Sequence, residues 1–385
     1  MLQSPEQDAA SPSVQAVDGS QQLAQMEQIL RKHWRLGQNM VLCWAPDPRG
    51  LLTVVVPHYF LGHFTAETVS KAVVSGDAGE TSAGENETFL REVISGSRLK
   101  THAEIFAIAK RLGVSTSFIK LDQPIGDDPE VLAAADAIIS SYGLGYVNSR
   151  AVVLFDIAEF SLYTPFEQAS QLNSLSYSMN SAYSKLQRQG VEVNFARTTT
   201  GDGYYVWNRD LGPFPDLDLL SFLLLVLIDN AVARRQASGN TVPVIRSAYH
   251  IGGHYELFQA EGVNPTVFSY IVGDVTIKLA RMLASADAGQ IIVGDFHAML
   301  PDASGLQPAA AFIAAAIEEL MDLSSLQIAD KPLLDIQVTA GCVGAPDHKM
   351  LNIVDKHGLE QSVSNLQFEV QLGSERLTIG TPTPP

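Results

Sequence analysis

The sequence is short of cysteine and of positive charge, and it contains no long apolar run. Its two cysteines, Cys43 and Cys342, lie far apart, which leaves no disulfide framework and no cysteine-based metal spacing. A reducing cytoplasm is the compartment this implies. Only 25 Lys and Arg stand against 42 Asp and Glu, a formal net charge of -17. Such a chain has no positive field to gather a phosphate backbone, which argues against a binder of polymeric nucleic acid. A single nucleotide, whose charge can be met locally, stays open. The most apolar stretch, Leu219 to Ile228, is about half the length of a membrane span and is bracketed by Asp218 and Asp229. It reads as a buried helix, and no membrane span is expected. Met1 to Ser20 is polar and lacks the apolar core of a secretory signal. There is no Gly-rich loop followed by Lys-Ser or Lys-Thr, so a P-loop NTPase is not indicated. His250 and His254 are separated by Gly252 and Gly253, which breaks a shared helical metal face. Ser161 and His250 lack the surroundings of a hydrolase triad.

At 385 residues the chain is long enough for two domains. Residues 1–20 are expected as a disordered leader, 21–145 as a small α/β or mostly helical module, 146–380 as a second domain and 381–385 as a tail. In the first module, Leu23, Met26, Ile29 and Leu30 predict a helix. Strands over Asn39–Trp44 and Leu51–Val56 flank a Pro/Asp/Gly turn. Helical patterns follow at Ala66–Val74, Glu87–Ile94 and His102–Leu112. Asp127, Asp128 and Pro129 start a further helix over Val131–Tyr142. No chemistry is legible in this module.

The second domain alternates. A strand at Ala151–Asp156 precedes an apolar stripe of Phe166, Ala169, Leu172, Leu175, Met179, Ala182 and Leu186, a helix that Gly190 ends. Strands at Val191–Phe195 and Gly203–Trp207 surround Asp202. An apolar helix runs from Pro215 to Gln236, and a strand over Val242–Ile251 leads into a Gly252-Gly253 turn. Then come helix Thr276–Ala286, strand Gln290–Val293, helix Ala309–Leu320, and closing strands at Leu334–Thr339, Gln367–Leu372 and Leu377–Ile379. This order is that of an α+β fold, one sheet with helices on one face.

Two carboxylates stand out. Ala151-Val152-Val153-Leu154-Phe155 is an unbroken apolar strand that delivers Asp156 at its end, and Thr200-Gly201-Asp202-Gly203 sets a second carboxylate in a Gly-flanked turn. Either aspartate alone is most simply a turn or cap residue. Two at strand edges suit a shared divalent cation better than a hydrophobic core.

These residues resemble the class III nucleotidyl cyclases. Phe155-Asp156-Ile157-Ala158-Glu159-Phe160-Ser161 is similar to that family's first metal motif and Thr200-Gly201-Asp202-Gly203 to its second. Gly273-Asp274 through Ala280-Arg281-Met282, then Ala288-Gly289-Gln290-Ile291-Ile292-Val293, is similar to its following helix and strand. The resemblance spans roughly residues 151–294. It implies the family's ferredoxin-like α+β catalytic domain, and conversion of a nucleoside triphosphate to a 3′,5′-cyclic nucleotide and pyrophosphate at a homodimer interface. Two Mg²⁺ or Mn²⁺ ions would be held by Asp156, Asp202 and the carbonyl of Ile157, with Arg281 stabilising the α-phosphate. Thr198 and Tyr270 stand at the base-reading positions, and Lys356 is the candidate phosphate-binding lysine. Ile277 stands where the family has a ribose-contacting Asn, and Thr198 where adenine-specific members have Lys. Thr198 and Tyr270 leave the base open, and the loss of the Asn and of the base-reading pair supports an alternative, a catalytically impaired domain acting as a nucleotide-binding or protein-interaction regulatory module.

Overall fold

Alternating apolar side chains and well-placed glycines build the first unit of the chain. The computed structural model describes residues 19–66, 79–209, 213–261, 264–301, 303–323, 326–354 and 358–382. It divides into two units, residues 1–144 with 260–265, and residues 145–259 with 266–385. In the first, α1 (Ser20–Trp34) is followed by β1 (Asn39–Asp47), β2 (Gly50–Pro57), α2 (Gly79–Ile94), α3 (His102–Leu112), β3 (Ser117–Lys120) and α4 (Pro129–Ser140). The two expected strands, β1 and β2, pair as an antiparallel hairpin, and β3 extends it in the order β1-β2-β3. β3 was not expected. It fits because Gly50 has φ +143° and a Cβ there would lie 2.0 Å from the Ile119 carbonyl oxygen, so only glycine lets the strand close. Met26, Leu30 and Trp34 of α1 pack on Val41, Leu51, Ile119 and Ile139. The buried Arg98 donates to the carbonyl of Leu42 (3.1 Å) and to that of Leu144. Asp136 of α4 accepts from the Arg98 backbone N–H (2.9 Å) and from Trp44 Nε1 (2.7 Å), tying the helix to the hairpin. Burial pushes the Arg98 guanidinium down to about 10, against the pull of Asp136. It therefore stays charged at neutral pH. Residues 1–18 of the expected leader lie outside the described residues, as does all but the first residue of the expected helix at 66–74.

The second unit is built on β4 (Leu144–Ile157), α5 (Pro165–Arg188), β5 (Phe195–Thr199), β6 (Gly203–Asn208), α6 (Pro215–Gln236), β7 (Ile245–Glu261), β8 (Asn264–Val272), α7 (Asp274–Ala284) and β9 (Ile291–Gly294). Short β10 (His297–Ala298) and β11 (Gln307–Pro308) then precede α8 (Ala309–Asp322). After these come β12 (Gln327–Ile328), β13 (Lys331–Val338), β14 (Met350–Val354), β15 (Glu360–Leu366), β16 (Phe368–Leu372) and β17 (Glu375–Ile379). The class is the expected α+β. The main sheet has the order β14-β15-β9-β7-β4-β6-β5, with β8 pairing β7.

Side chains of β4 alternate between two cores. Val153, Phe155 and Ile157 face α5, α6 and α8, whereas Val152 and Leu154 face α7 on the other side. The helices expected on one face are therefore α5, α6 and α8, and α7 is added on the opposite one. The run Leu219–Ile228 is buried throughout, because α6 lies between the main sheet and a second, four-stranded sheet of order β12-β13-β16-β17. The expected closing strands fall in this second sheet, and β14 and β15 extend the first.

Four local expectations shift. β5 begins at Phe195 rather than Val191, and Phe166, at the head of the α5 stripe, projects into solvent. β7 runs straight through Gly252 and Gly253 with no turn. A Cβ at Gly252 would meet Val275 at 3.3 Å, and one at Gly253 would meet the Tyr146 hydroxyl at 2.7 Å, so these glycines serve close packing. Thr381, in the segment read as a tail, donates its N–H to the Gly289 carbonyl (3.1 Å) and accepts from Asn365 Nδ2 (3.0 Å). Among the described residues, no helix is long and apolar enough to cross a membrane.

Between α6 and α8 two acids meet. Glu319 accepts from the Ser221 hydroxyl (2.5 Å) and lies beside Asp218, whose carboxyl is pushed up to about 8, first by burial and then by Glu319. Its unfolded value is 3.8, so the folded state takes up the proton more readily. The stabilisation this gives is complete below about 4 and is lost as pH rises through about 8. Thermal unfolding at pH 6, 7.5 and 9 should show the wild type losing stability over that range, and Asp218→Asn should flatten the loss. Parallel curves for the two proteins would refute the assignment.

Candidate functional site

The site follows from the β4 alternation. One position beyond Leu154 on the α7 face stands Asp156, only 7% exposed. Its neighbour in register is Gly203 of β6. A Cβ at Gly203 would lie 1.9 Å from the Phe155 carbonyl oxygen, so glycine alone lets β6 approach β4 here. The preceding turn needs Gly201 at φ +104° and is closed by the Thr200 N–H donating to the Gly203 carbonyl (3.0 Å). The Ile157 N–H donates to the Asp202 carbonyl (3.0 Å), and the Asp202 carboxylate accepts from Thr200 Oγ1 (3.3 Å). These bonds bring the two carboxyl groups together, as expected from the sequence. Asp156 is pushed above the usual carboxylate range by burial, drawn back by Arg246, and raised again by the charge of Asp202.

Arg246 is the residue that sequence reasoning missed. Standing on β7, it donates through Nε to Asp156 Oδ2 and through Nη1 to the carbonyls of Leu283 and Ala286, each at 3.2 Å. Leu283 lies in the last turn of α7 and Ala286 just past its end, where a cation is favoured by the helix dipole. The available signal was a lone basic residue inside the otherwise uncharged strand Val244-Ile245-Arg246-Ser247-Ala248.

The other named residues are less tightly gathered. Arg281 is half-buried on α7. Ile277 lies one turn earlier and is 49% exposed. Thr198 of β5 pairs with Tyr205, and the Tyr205 hydroxyl donates to the Thr276 carbonyl of α7 (3.2 Å). Thr198 shares the α7 side of the sheet with Ala196. Tyr270 is exposed on β8. Lys356 lies outside the described residues. His250 is buried and pushed down to about 4 by burial, with Lys278 adding to the effect. A Cβ at Gly294 would meet its ring at 2.3 Å, so it is a packed neutral imidazole.

The donor set suits a hard divalent cation. Asp156 and Asp202 offer adjacent carboxylate oxygens, and Mg²⁺ commonly takes one or two carboxylates and fills its remaining positions with water and phosphate oxygens. Among the described residues, no group of three or more His, Cys, Asp or Glu converges as a closed metal cage.

No protein-family model matches the chain, and no curated protein does. Solved structures that it resembles are cyclase catalytic domains. The guanylate cyclase domain of RhGC from Catenaria anguillulae shares 14% identity over 57% of this chain and 97% of that one, with TM-score 0.35. The adenylyl cyclase CyaB from P. aeruginosa shares 14% over 58% and 95%, also at 0.35. The adenylate/guanylate cyclase/hydrolase from Silicibacter pomeroyi shares 14% over 58% and 98%, at 0.32.

The Asp156–Arg246 pair yields a test. Arg246→Gln should cost about 2–4 kcal/mol, somewhat below the cost of breaking a fully buried pair, because Arg246 remains 31% exposed. Asp156→Asn with Arg246→Gln should recover part of that loss, since no uncompensated charge is left. Denaturant unfolding of both single variants and the double measures the coupling, and additive losses would deny it. Gly203→Ala, which forces a backbone shift at the β4–β6 register, should cost more than about 2 kcal/mol in the same assay.

Proposed function

We propose that residues 146–380 form a nucleotidyl cyclase domain that converts a nucleoside triphosphate to a 3′,5′-cyclic nucleotide and pyrophosphate, working as a homodimer. The observation that supports this best is the convergence of Asp156 and Asp202 on the face covered by α7, the helix carrying Arg281. The two carboxylates, with the Ile157 carbonyl, would hold two Mg²⁺ or Mn²⁺ ions. Bound there, such ions supply neutralisation of the triphosphate and ease loss of the ribose hydroxyl proton.

The chain's own groups would then position and stabilise. With those ions bound, the aspartates would hold the triphosphate end of the substrate at the end of β4 and the turn before β6. The ribose 3′-oxygen attacks the α-phosphorus, its proton passes to water, and the bond to pyrophosphate breaks. Arg281 donates to the non-bridging α-phosphate oxygens as charge builds on them, a role its planar fork of donors suits. Arg246 opposes the burial shift of Asp156 and orients its carboxyl while no substrate is present. Thr198 and Tyr270 would contact the base, and Lys356 the distal phosphates.

One observation favours the second reading, a regulatory module with impaired turnover. Ile277 presents an exposed apolar surface where a hydrogen bond to ribose is expected, and an apolar side chain cannot donate one. The two readings separate on incubation with each of ATP, GTP, CTP and UTP plus Mn²⁺, followed by mass spectrometry for cyclic product. Product is expected from at least one. Asp202→Ala and Asp156→Asn should lower its yield at least about a hundredfold with the circular dichroism unchanged. Nucleotide binding without product from any triphosphate would favour the regulatory module.

A further inference from the structure

β14 is the outermost strand of the main sheet. Among the described residues it pairs only with β15, and no loop backbone hydrogen-bonds to Met350–Val354 from the other side. Alternate N–H and C=O groups therefore face outward along it. Edge strands are ordinarily kept from joining other chains by Lys or another charge, by proline or by a bulge. β14 has none of these. Its sequence, Met-Leu-Asn-Ile-Val, is uncharged and free of proline, and its register with β15 runs without a shift. The opposite edge of the same sheet, β5, carries the exposed Arg197, and β17, at the edge of the second sheet, carries Glu375 and Arg376.

Successive side chains of β14 point to opposite faces. Leu351 and Ile353 pack on the core beneath α7, across from Val363 and Gln361. Met350, Asn352 and Val354 stand on the other face, where their cross-strand neighbours are Ser364, Ser362 and Glu360. The Asn352 amide oxygen accepts from the Ser362 hydroxyl at 3.0 Å. Met350 and Val354 face no apolar residue of β15 in register and remain 49% and 58% exposed. A strand added at the edge would supply the apolar neighbours that β15 does not.

The order of the side chains identifies that strand. Read in either direction from Asn352, β14 is apolar at both following positions. Antiparallel pairing of two copies about Asn352 sets Met350 opposite Val354 on one face, Leu351 opposite Ile353 on the other, and Asn352 opposite itself. Each exposed apolar side chain gains an apolar partner, and two amides, each able to donate and accept, meet at the centre. A slip of one or two positions would set the amide against an apolar side chain. Each chain carries a net charge of -17, and two such chains approach with least repulsion along an uncharged edge. We propose that the open edge of β14 pairs with the same strand of a second copy, antiparallel about a two-fold axis at Asn352. Such a contact closes on itself and gives a dimer, not a fibre. The proposal does not rest on the cyclase reading, because three strands separate β14 from β4 and its test measures association, not turnover.

Opposite residues of an antiparallel pair lie about 4.5–5.5 Å apart at Cα, within disulfide reach. Asn352→Cys in the full chain should therefore form a disulfide-linked dimer under mild oxidation, at least tenfold faster than Asn173→Cys, an exposed position on α5. The native thiols of Cys43 and Cys342 are buried and should stay uncoupled. In sedimentation equilibrium, Val354→Lys should weaken association at least tenfold, because two ammonium groups enter the apolar seam. Adding Met350→Glu to that variant should restore part of the loss, since each Lys then faces a Glu across the two-fold axis. The two positions lie about 13 Å apart along one strand, so no ion pair within a chain gives the same rescue. Equal cross-linking at 352 and 173, association unaffected by Val354→Lys, or no rescue by Met350→Glu would each overturn the proposal. So would a wild type that stays monomeric at every concentration, which would leave the edge to a strand of another protein.

Discussion

A carboxylate buried at the end of a central strand is tolerated only where a cation or several donors meet it, and Arg246 does this for Asp156. The consequences spread from that one contact. Through Arg246, the last turn of β4 is bound to β7 and to the terminal carbonyls of α7, so strand end, neighbouring strand and covering helix share a single side chain. Tyr205 makes a second tie, from β6 to the Thr276 carbonyl near the start of the same helix. α7 is thus pinned at both ends to the strands that bear Asp156 and Asp202. A helix held this way presents Arg281 from a fixed axis.

The second unit solves the same electrostatic problem in opposite ways on its two faces. Asp156 is raised by burial but drawn back by a guanidinium. Asp218 is also raised by burial, and the nearby acid raises it further, so its charge is suppressed near neutral pH. Lys185 and Asp229, paired at 2.7 Å between α5 and α6, show the ordinary solution for a buried acid on the helical side. Asp218 sits on that same side with no such partner.

The sequence made Asp156 and Asp202 legible because each breaks a strong local pattern, one closing an apolar strand and the other flanked by glycines. Arg246 was hidden because its partners come from three distant segments, and a single Arg in a strand carries no spacing to read. Gly252 and Gly253 were misread for a related reason. Glycine marks either a turn or a close approach, and only the positions of Val275 and Tyr146 distinguish the two. Likewise the apolar alternation of β13, β16 and β17 announces strands but not their sheet. Their assignment to the second sheet depends on α6 being apolar all round and needing cover on its far side.

On the proposed cyclase function, Arg246 and a divalent cation would make competing claims on Asp156, and the geometry would keep the exchange inexpensive. The guanidinium has five N–H donors, of which Nε serves Asp156 and Nη1 the two carbonyls of α7. Losing the first contact leaves the others in place, so the side chain need not return to water as a free ion. The carboxylate in turn exchanges one positive partner for another and is never exposed as an isolated buried charge, which would cost several kcal/mol. A carboxylate partnered by Lys would behave differently, since a single ammonium cannot bridge a carboxylate and two helix-end carbonyls with the same planar fork. The choice of Arg at position 246 therefore suits a site in which one aspartate must be both stable when empty and available when occupied.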